Sequence, residues 1–345
     1  MNIKNWSDKI KNIALITGSS GFIGFHLAKF LLACDWKIIG LDAMTDYYDV
    51  NFKNARQKLL CQNPNFYNYK GLVQDEKLLN KIYSLHKPNI LIHLAAQAGV
   101  RYSIENPISY VESNLIGTFQ ILEMARKYKP DHLLMASTSS VYGSNKDMPL
   151  QENQKCDTQM SFYAATKKSN EVMAHSYSHV YDIPTTMFRF FTVYGPWGRP
   201  DMALFKFTKN ILSGKPIEVY NKGNMVRDFT YIDDLVYAIF LLITEVPKKA
   251  NKRKNIIKND SISDVAPFRI VNIGNSHPIN LLDYVKELEK VLGKVAQKKF
   301  LSMQDGDVHK THSNIDLLRA LTGFESKTNM HEGLSQFVKW YKSYY

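Results

Sequence analysis

Tyr163 and Lys167 stand four residues apart in Tyr163-Ala164-Ala165-Thr166-Lys167, a spacing that puts both on one face of a helix. A tyrosine ordinarily loses its proton near pH ~10. A neighbouring ammonium and a cationic ring in a bound cofactor both favour the phenolate, which then serves as a base near neutral pH. Upstream, Ala136-Ser137-Thr138-Ser139-Ser140-Val141-Tyr142-Gly143 follows an apolar run, so its hydroxyls fall where the carboxyl end of a strand meets a crevice. The Tyr-Lys spacing alone recurs on many helix surfaces, and the hydroxyl run alone reads as a polar turn. Their order around one sheet makes them a candidate proton-transfer site.

A cofactor site precedes them. In Ile16-Thr17-Gly18-Ser19-Ser20-Gly21-Phe22-Ile23-Gly24, Gly18 suits a tight turn between strand and helix. Gly21 lets backbone N–H groups approach a pyrophosphate, and Gly24 lets the helix pack closely on the sheet. The helix N-terminus then faces the phosphates with its partial positive charge. Asp42, 18 residues beyond Gly24, ends the second apolar run. A carboxylate there accepts the adenosine ribose hydroxyls and repels the extra phosphate of NADP. Glycines serve any tight turn and an aspartate also caps helices, but the combination points to NAD.

These groups need a scaffold. Apolar runs at 13–17, 37–41, 90–94, 133–136 and 184–191 alternate with helical patterns, including 111–126 and 163–181. That alternation predicts an α/β fold: a Rossmann-type doubly wound parallel sheet with helices on both faces. After Gly195 the pattern changes, with Pro196, Gly198 and Pro200, a helix over 203–212 and a short strand over 217–220. The expected division is an NAD-binding domain over 1–190 and a smaller C-terminal α/β substrate lobe over 191–345, with part of about 226–275 returning to the first domain.

The 345 residues are 45% hydrophobic, which suits a packed core rather than disorder. No apolar stretch of about 18 residues predicts a membrane span. Met1 to Lys11 lacks the apolar centre of a signal peptide. Cys34, Cys61 and Cys156 lack metal spacing and read as reduced thiols of a cytoplasmic protein. His93, His309 and His312 read as structural, so no metal site is expected. The net charge of +12 comes from lysines spread along the chain, densest from Lys248 to Lys258, which reads as a solvated loop rather than a nucleic-acid surface. A basic balance also suits a substrate bearing a diphosphate and a carboxylate.

With these residues in view, the chain resembles the extended short-chain dehydrogenases/reductases, in their sugar-nucleotide epimerase branch, and within it the UDP-glucuronate 4-epimerases. The resemblance runs over about 12–345. It is carried by Leu41-Asp42 with Asp46-Tyr47-Tyr48-Asp49-Val50-Asn51, by His93 through Ser103, by Arg189 through Ala203, and by Arg227 through Asp234. The run from Trp197 to Met202 is the most selective of these.

The resemblance implies inversion at C4 of a UDP-sugar with tightly bound NAD. Tyr163 is the base, Lys167 holds the nicotinamide ribose and lowers the Tyr163 pKa, and Thr138 bonds the reacting oxygen. NAD contacts are expected from Gly18, Gly21, Phe22, Ile23, Gly24, Asp42, Val73, Ala95, Ala96 and Asn114, besides Tyr163 and Lys167. Substrate contacts are expected from Arg101, Thr138, Ser139, Ser140, Thr192, Arg199, Tyr220, Arg227 and Asp307. It also implies a homodimer joined through helices 111–126 and 163–181, with Val111, Leu115, Phe119, Leu122 and Ala125 as the apolar stripe.

One departure stands out. Gly71 is followed by Leu72, where the family usually has a carboxylate meeting the adenine amino group. The Val73 backbone and Asp75 are the remaining candidates. The neighbouring reactions are distinguishable: dehydratases usually carry Asp-Glu after the threonine, and decarboxylases Glu at the second position. Ser139 and Ser140 fill both positions here, which favours epimerisation. Epimerases of UDP-glucose or of N-acetylated hexosamines or uronates remain the near alternatives. A non-catalytic dinucleotide sensor is the distant one, since it has no need of Thr138, Tyr163 and Lys167 together.

Overall fold

Inner strands such as Ile13–Thr17 and Ile90–His93 are short aliphatic runs buried on both faces, the signature of a parallel sheet covered by helices. The computed structural model describes residues 12–252, 257–304 and 306–345. Met1 to Lys11 and part of the lysine run, 253–256, lie outside them. The first half alternates β1 (Ile13–Thr17), α1 (Phe22–Ala33), β2 (Lys37–Asp42), α2 (Val50–Leu60), β3 (Phe66–Lys70), α3 (Glu76–His86) and β4 (Ile90–His93). It continues through α4 (Tyr102–Glu105), α5 (Pro107–Tyr110), α6 (Gly117–Tyr128), β5 (His132–Thr138), α7 (Phe162–Tyr181) and β6 (Thr185–Phe190). The rest comprises β7 (Thr192–Tyr194), α8 (Ala203–Leu212), β8 (Ile217–Val219), β9 (Val226–Tyr231), α9 (Ile232–Ile243), β10 (Phe268–Ile273), β11 (Pro278–Asn280), α10 (Leu281–Leu292), β12 (Lys298–Phe300), α11 (Asp316–Thr322) and α12 (Met330–Tyr344).

Seven strands form the parallel sheet, in the order β10-β6-β5-β4-β1-β2-β3. The chain runs outward from β1 to β3, then crosses back to lay β4 against β1. That reversal opens a crevice at the carboxyl ends of β1 and β4, the place where such sheets bind ligands. One face of the sheet packs under α3, α6 and α7 through Leu79, Ile121 and Ala174. The other packs under α1 and α9 through Phe25, Leu31, Leu235 and Ile239. The Rossmann-type expectation holds. After β6 the chain forms a three-stranded sheet, β11-β9-β7, and a parallel pair, β12-β8. It returns in β10 to the edge of the main sheet, in register with β6 from Phe268↔Thr185 to Ile273↔Phe190.

The helical pattern expected over 111–126 is not one regular α-helix. Residues Val111–Ile116 form a π-helical segment between α5 and α6. Its wider turn lets the fully buried Asn114 side chain bond the Gln97 backbone rather than another turn of helix. The proposed apolar stripe also divides. Leu122 and Ala125 are fully buried in the core, whereas Phe119 is 42% exposed, beside the likewise exposed Ile108 and Ile116. The reason is the sheet beneath: the inner face of α6 is used up against it.

Candidate active site

The turn from β1 into α1 is built by its glycines. Gly18 has φ +72°, and a side chain there would meet the backbone nitrogen of Ala95 at 2.8 Å. A side chain at Gly24 would lie 2.1 Å from the carbonyl oxygen of Gly18. This closeness leaves a shallow cradle at the first turn of α1, which carries no acidic side chain to compete with an anion. The hydroxyls of Ser19 and Ser20, behind this turn, are buried without a hydrogen-bond partner among the described residues. Asp42 closes the turn from the end of β2, accepting from the Ser20 N–H and the Met44 N–H, both at 2.9 Å. The fit to a dinucleotide is therefore good: a backbone cradle for the pyrophosphate and a carboxylate beside it.

The loop after β4 forms the next wall. Ala95 and Ala96 line the cavity. Asn114 does not: it is fully buried behind this loop, bonding Gln97 N at 2.8 Å, Gln97 O at 3.0 Å and Thr166 Oγ1 at 3.0 Å. It braces the wall rather than touching a ligand. His93, between the hydroxyls of Thr17 (2.8 Å) and Thr118 (3.2 Å), has both ring nitrogens satisfied. Val73, Phe22 and Ile23 also line the cavity. Asp75 is excluded as a substitute for the missing carboxylate, because it caps α3 by accepting from Leu78 N at 2.9 Å.

Thr138 ends β5 and Tyr163 lies in the first turn of α7, so the sheet brings hydroxyl and phenol together although they stand 25 positions apart in the chain. The Thr138 hydroxyl is near enough to the phenol to favour its ionised form, and it also donates to Ser140 Oγ at 3.3 Å. Burial pushes the Tyr163 phenol up, while the Thr138 hydroxyl and the charge on Arg199 pull it down. Arg199, from the segment after β7, is thus a cation acting on the phenol, a role expected of Lys167. Lys167 is almost entirely buried, and desolvation lowers its pKa to about 8 against the raising effect of Glu171. Glu171, one turn further along α7, escaped the sequence reading. It accepts from Ser137 Oγ at 2.7 Å and from the Arg189 guanidinium through two bonds of 2.9 Å. Its spacing from Lys167 was the available signal.

The far end of the cavity carries the remaining groups. Ser139, Ser140, Thr192, Tyr220 and Arg227 line it. The Arg227 guanidinium donates to the carbonyls of Val226 and His309 and pairs with no carboxylate among the described residues, which suits a diphosphate. Arg101 reaches Asp307 at 3.7 Å and lies 4.6 Å from the centre of the Tyr220 ring. Arg199 is forked onto Asp201, with Nε to Oδ1 at 3.0 Å and Nη2 to Oδ2 at 2.5 Å, and Tyr47 donates to the same carboxylate at 3.2 Å. Pairing of Arg199 with Asp201 is the alternative that the sequence offers to a substrate contact, and the pair forms because Asp201, two residues on, turns back to meet it. Arg56 was also missed. It is fully buried in α2, holds the carbonyls of Ser20 and Trp197, and so ties the glycine turn to the segment bearing Arg199.

The cavity measures about 1180 Å³, room for more than one drug-sized ligand. Residues 14–257 match the model of the NAD dependent epimerase/dehydratase family. A probable UDP-glucuronate 4-epimerase from Rhizobium meliloti is 50% identical over 331 residues, covering 96% of this chain and 97% of its own. UDP-glucuronate 4-epimerase 4 of Arabidopsis thaliana is 43% identical, over 96% of this chain and 75% of its own. The crystal structure of a Bacillus cereus UDP-glucuronic acid 4-epimerase, in complex with UDP-glucuronic acid and NAD, superposes with a TM-score of 0.86 at 31% identity, covering 96% of this chain and all (100%) of that one. By its sheet, its glycine turn and these matches, the chain belongs to the NAD-dependent epimerase/dehydratase family.

Proposed function

We propose that the protein is a UDP-glucuronate 4-epimerase that converts UDP-glucuronate to UDP-galacturonate. The observation that carries the reading is the meeting of Thr138, Tyr163 and Arg199 in one cavity, with serines at 139 and 140 and no general-acid carboxylate after Thr138. Names of the relatives support the uronate. NAD, when bound, supplies the acceptor and later the donor of the hydride at C4. Tyr163 takes the proton of the sugar 4-hydroxyl and returns it at the end. Thr138 holds that oxygen beside the phenol. Lys167 holds the cofactor ribose, and Asp42 the adenosine ribose. Arg227 takes the diphosphate, while Ser139, Ser140 and Thr192 offer hydroxyls to the sugar carboxylate. The division into a cofactor lobe over 1–190, joined by parts of about 226–275, and a substrate lobe over the remainder is part of this proposal.

The test is incubation with UDP-glucuronate, UDP-glucose and their N-acetyl analogues, followed by product identification. UDP-galacturonate as the main product supports the proposal; preferred conversion of UDP-glucose sinks it. A second expected result is preference for NAD over NADP, because Asp42 is already held by two N–H groups at the ribose end of the turn and repels a 2′-phosphate. Equal affinities by calorimetry remove that role from Asp42.

A homodimer is also expected. Ile108, Ile116 and Phe119 on one helical stretch and Phe162, Val172 and Val180 on α7 leave apolar side chains exposed, each 39–62%. Light scattering at micromolar concentration reads the mass, and a monomer defeats this part. Among the described residues no helix is long and apolar enough to cross a membrane. The three unpaired cysteines fit a reducing compartment, and the proposal places the enzyme in the cytoplasm.

A further inference from the structure

The adenine end of the cavity lacks its expected carboxylate, and the structure offers a different group in its place. Leu72 stands at that position and turns an apolar, half-exposed side chain to the cavity wall. Asp75, the next acid along the chain, is committed to its helix cap and does not line the cavity. Between them Gln74 does line it, and its side-chain oxygen is buried with no hydrogen-bond partner among the described residues. A buried amide oxygen without a donor is destabilising, and such atoms are uncommon in native structures. It points to a ligand N–H that arrives when the cavity fills.

We propose that Gln74 is the adenine-recognition residue of this chain, its carboxamide oxygen accepting from the 6-amino group of the cofactor adenine. A carboxamide presents an acceptor and a donor side by side, and adenine presents a donor beside a ring acceptor, so the two are complementary on either edge of the base. The local backbone explains why the sequence pattern hides it. The segment after β3 keeps Gly71 and buries Val73 against Gly117, so the loop keeps its course while the recognition group moves two residues along.

The inference rests on NAD being the cofactor, and its test separates the two ideas. The holoenzyme is equilibrated with an equimolar mixture of NAD and the analogue whose adenine is replaced by unsubstituted purine. The bound dinucleotides are then released and counted by mass spectrometry. The wild-type protein is expected to hold NAD in roughly tenfold excess, the effect of one net hydrogen bond to a partly buried group. Gln74→Leu is expected to bring the ratio to within about twofold of unity, whereas Gln74→Glu, still an acceptor, keeps the preference. Adding Leu72→Asp to Gln74→Leu is expected to restore it. If Gln74→Leu does not fold, Gln74→Ala takes its place in the same measurement. A ratio unchanged by loss of the amide, or a wild-type protein without preference, overturns the assignment of Gln74 while leaving NAD as cofactor. A wild-type protein that retains neither dinucleotide overturns both.

Discussion

A Tyr163→Phe variant is expected to fold, to retain NAD and to lose turnover by at least about a hundredfold, the contribution of a well-placed general base. The ring stays in its place, edge-on to Tyr110 at 6.1 Å, so packing is kept and only the hydroxyl goes. What is lost is the group that takes the 4-hydroxyl proton and its interaction with Thr138. The direction of the pH dependence follows from the surroundings. Burial raises the phenol pKa, while the Thr138 hydroxyl and the Arg199 charge lower it. Wild-type turnover therefore climbs with pH as the phenolate forms. Thr138→Val removes an interaction that favours the phenolate, so its climb lies at higher pH. Steady-state rates across pH check both statements: a near-normal rate for Tyr163→Phe excludes Tyr163 as the base, and an unmoved profile for Thr138→Val excludes the hydroxyl as its partner.

Arg199→Ala is expected to slow turnover of UDP-glucuronate far more than that of UDP-glucose and to release CO₂ with a UDP-pentose. A 4-keto uronate carries its ketone β to the C6 carboxylate. It loses CO₂ fastest when the C5–C6 bond stands perpendicular to the carbonyl plane, where its electrons flow into the forming enolate. An epimerase must grip the carboxylate and hold that bond away from perpendicular. Each charge-assisted bond contributes roughly 1.5–3 kcal/mol, so losing Arg199 costs about ten- to a hundredfold on the uronate alone.

The structure adds two conditions to this prediction. Arg199 is forked onto Asp201, so gripping a carboxylate means exchanging one anion for another on the same guanidinium. Its charge also bears on Tyr163, so its removal raises the pKa of the base for every substrate. The two substrates must therefore be compared at the high-pH plateau of each profile. Arg199→Lys keeps a charge but loses the fork, and is expected to fall between wild type and alanine. Equal slowing of both substrates at the plateau with no pentose removes Arg199 from the carboxylate and with it the main physical support for a uronate.

What could be read from the chain was what one segment decides by itself. Gly18 and Gly24 announce a turn that only glycine fits, and Asp42 ends β2 because strand length sets where the side chain falls. Tyr163 and Lys167 share a face of α7 because 3.6 residues make a turn. The alternating sheet followed from aliphatic runs separated by helical periods. Each of these depends on backbone geometry within a few residues, which local side-chain types dictate.

The rest depends on which surfaces meet. Periodicity places Leu122 and Phe119 on one helix but does not say that the sheet takes Leu122 and leaves Phe119 outside. Asn114 looks like a lining residue until the π-helical segment turns it behind the loop at Gln97. Arg56 and Glu171 look like ordinary helix-surface charges, yet both are buried at joints between segments distant in sequence. Arg199 was legible as a cation near the substrate. Its pairing with Asp201, two residues on, was legible as an alternative; its field on Tyr163 was not, because that arises only when the segment after β7 folds over the start of α7. Pairing energies fall steeply with distance and dielectric, and those are properties of the packed chain rather than of the order of its residues.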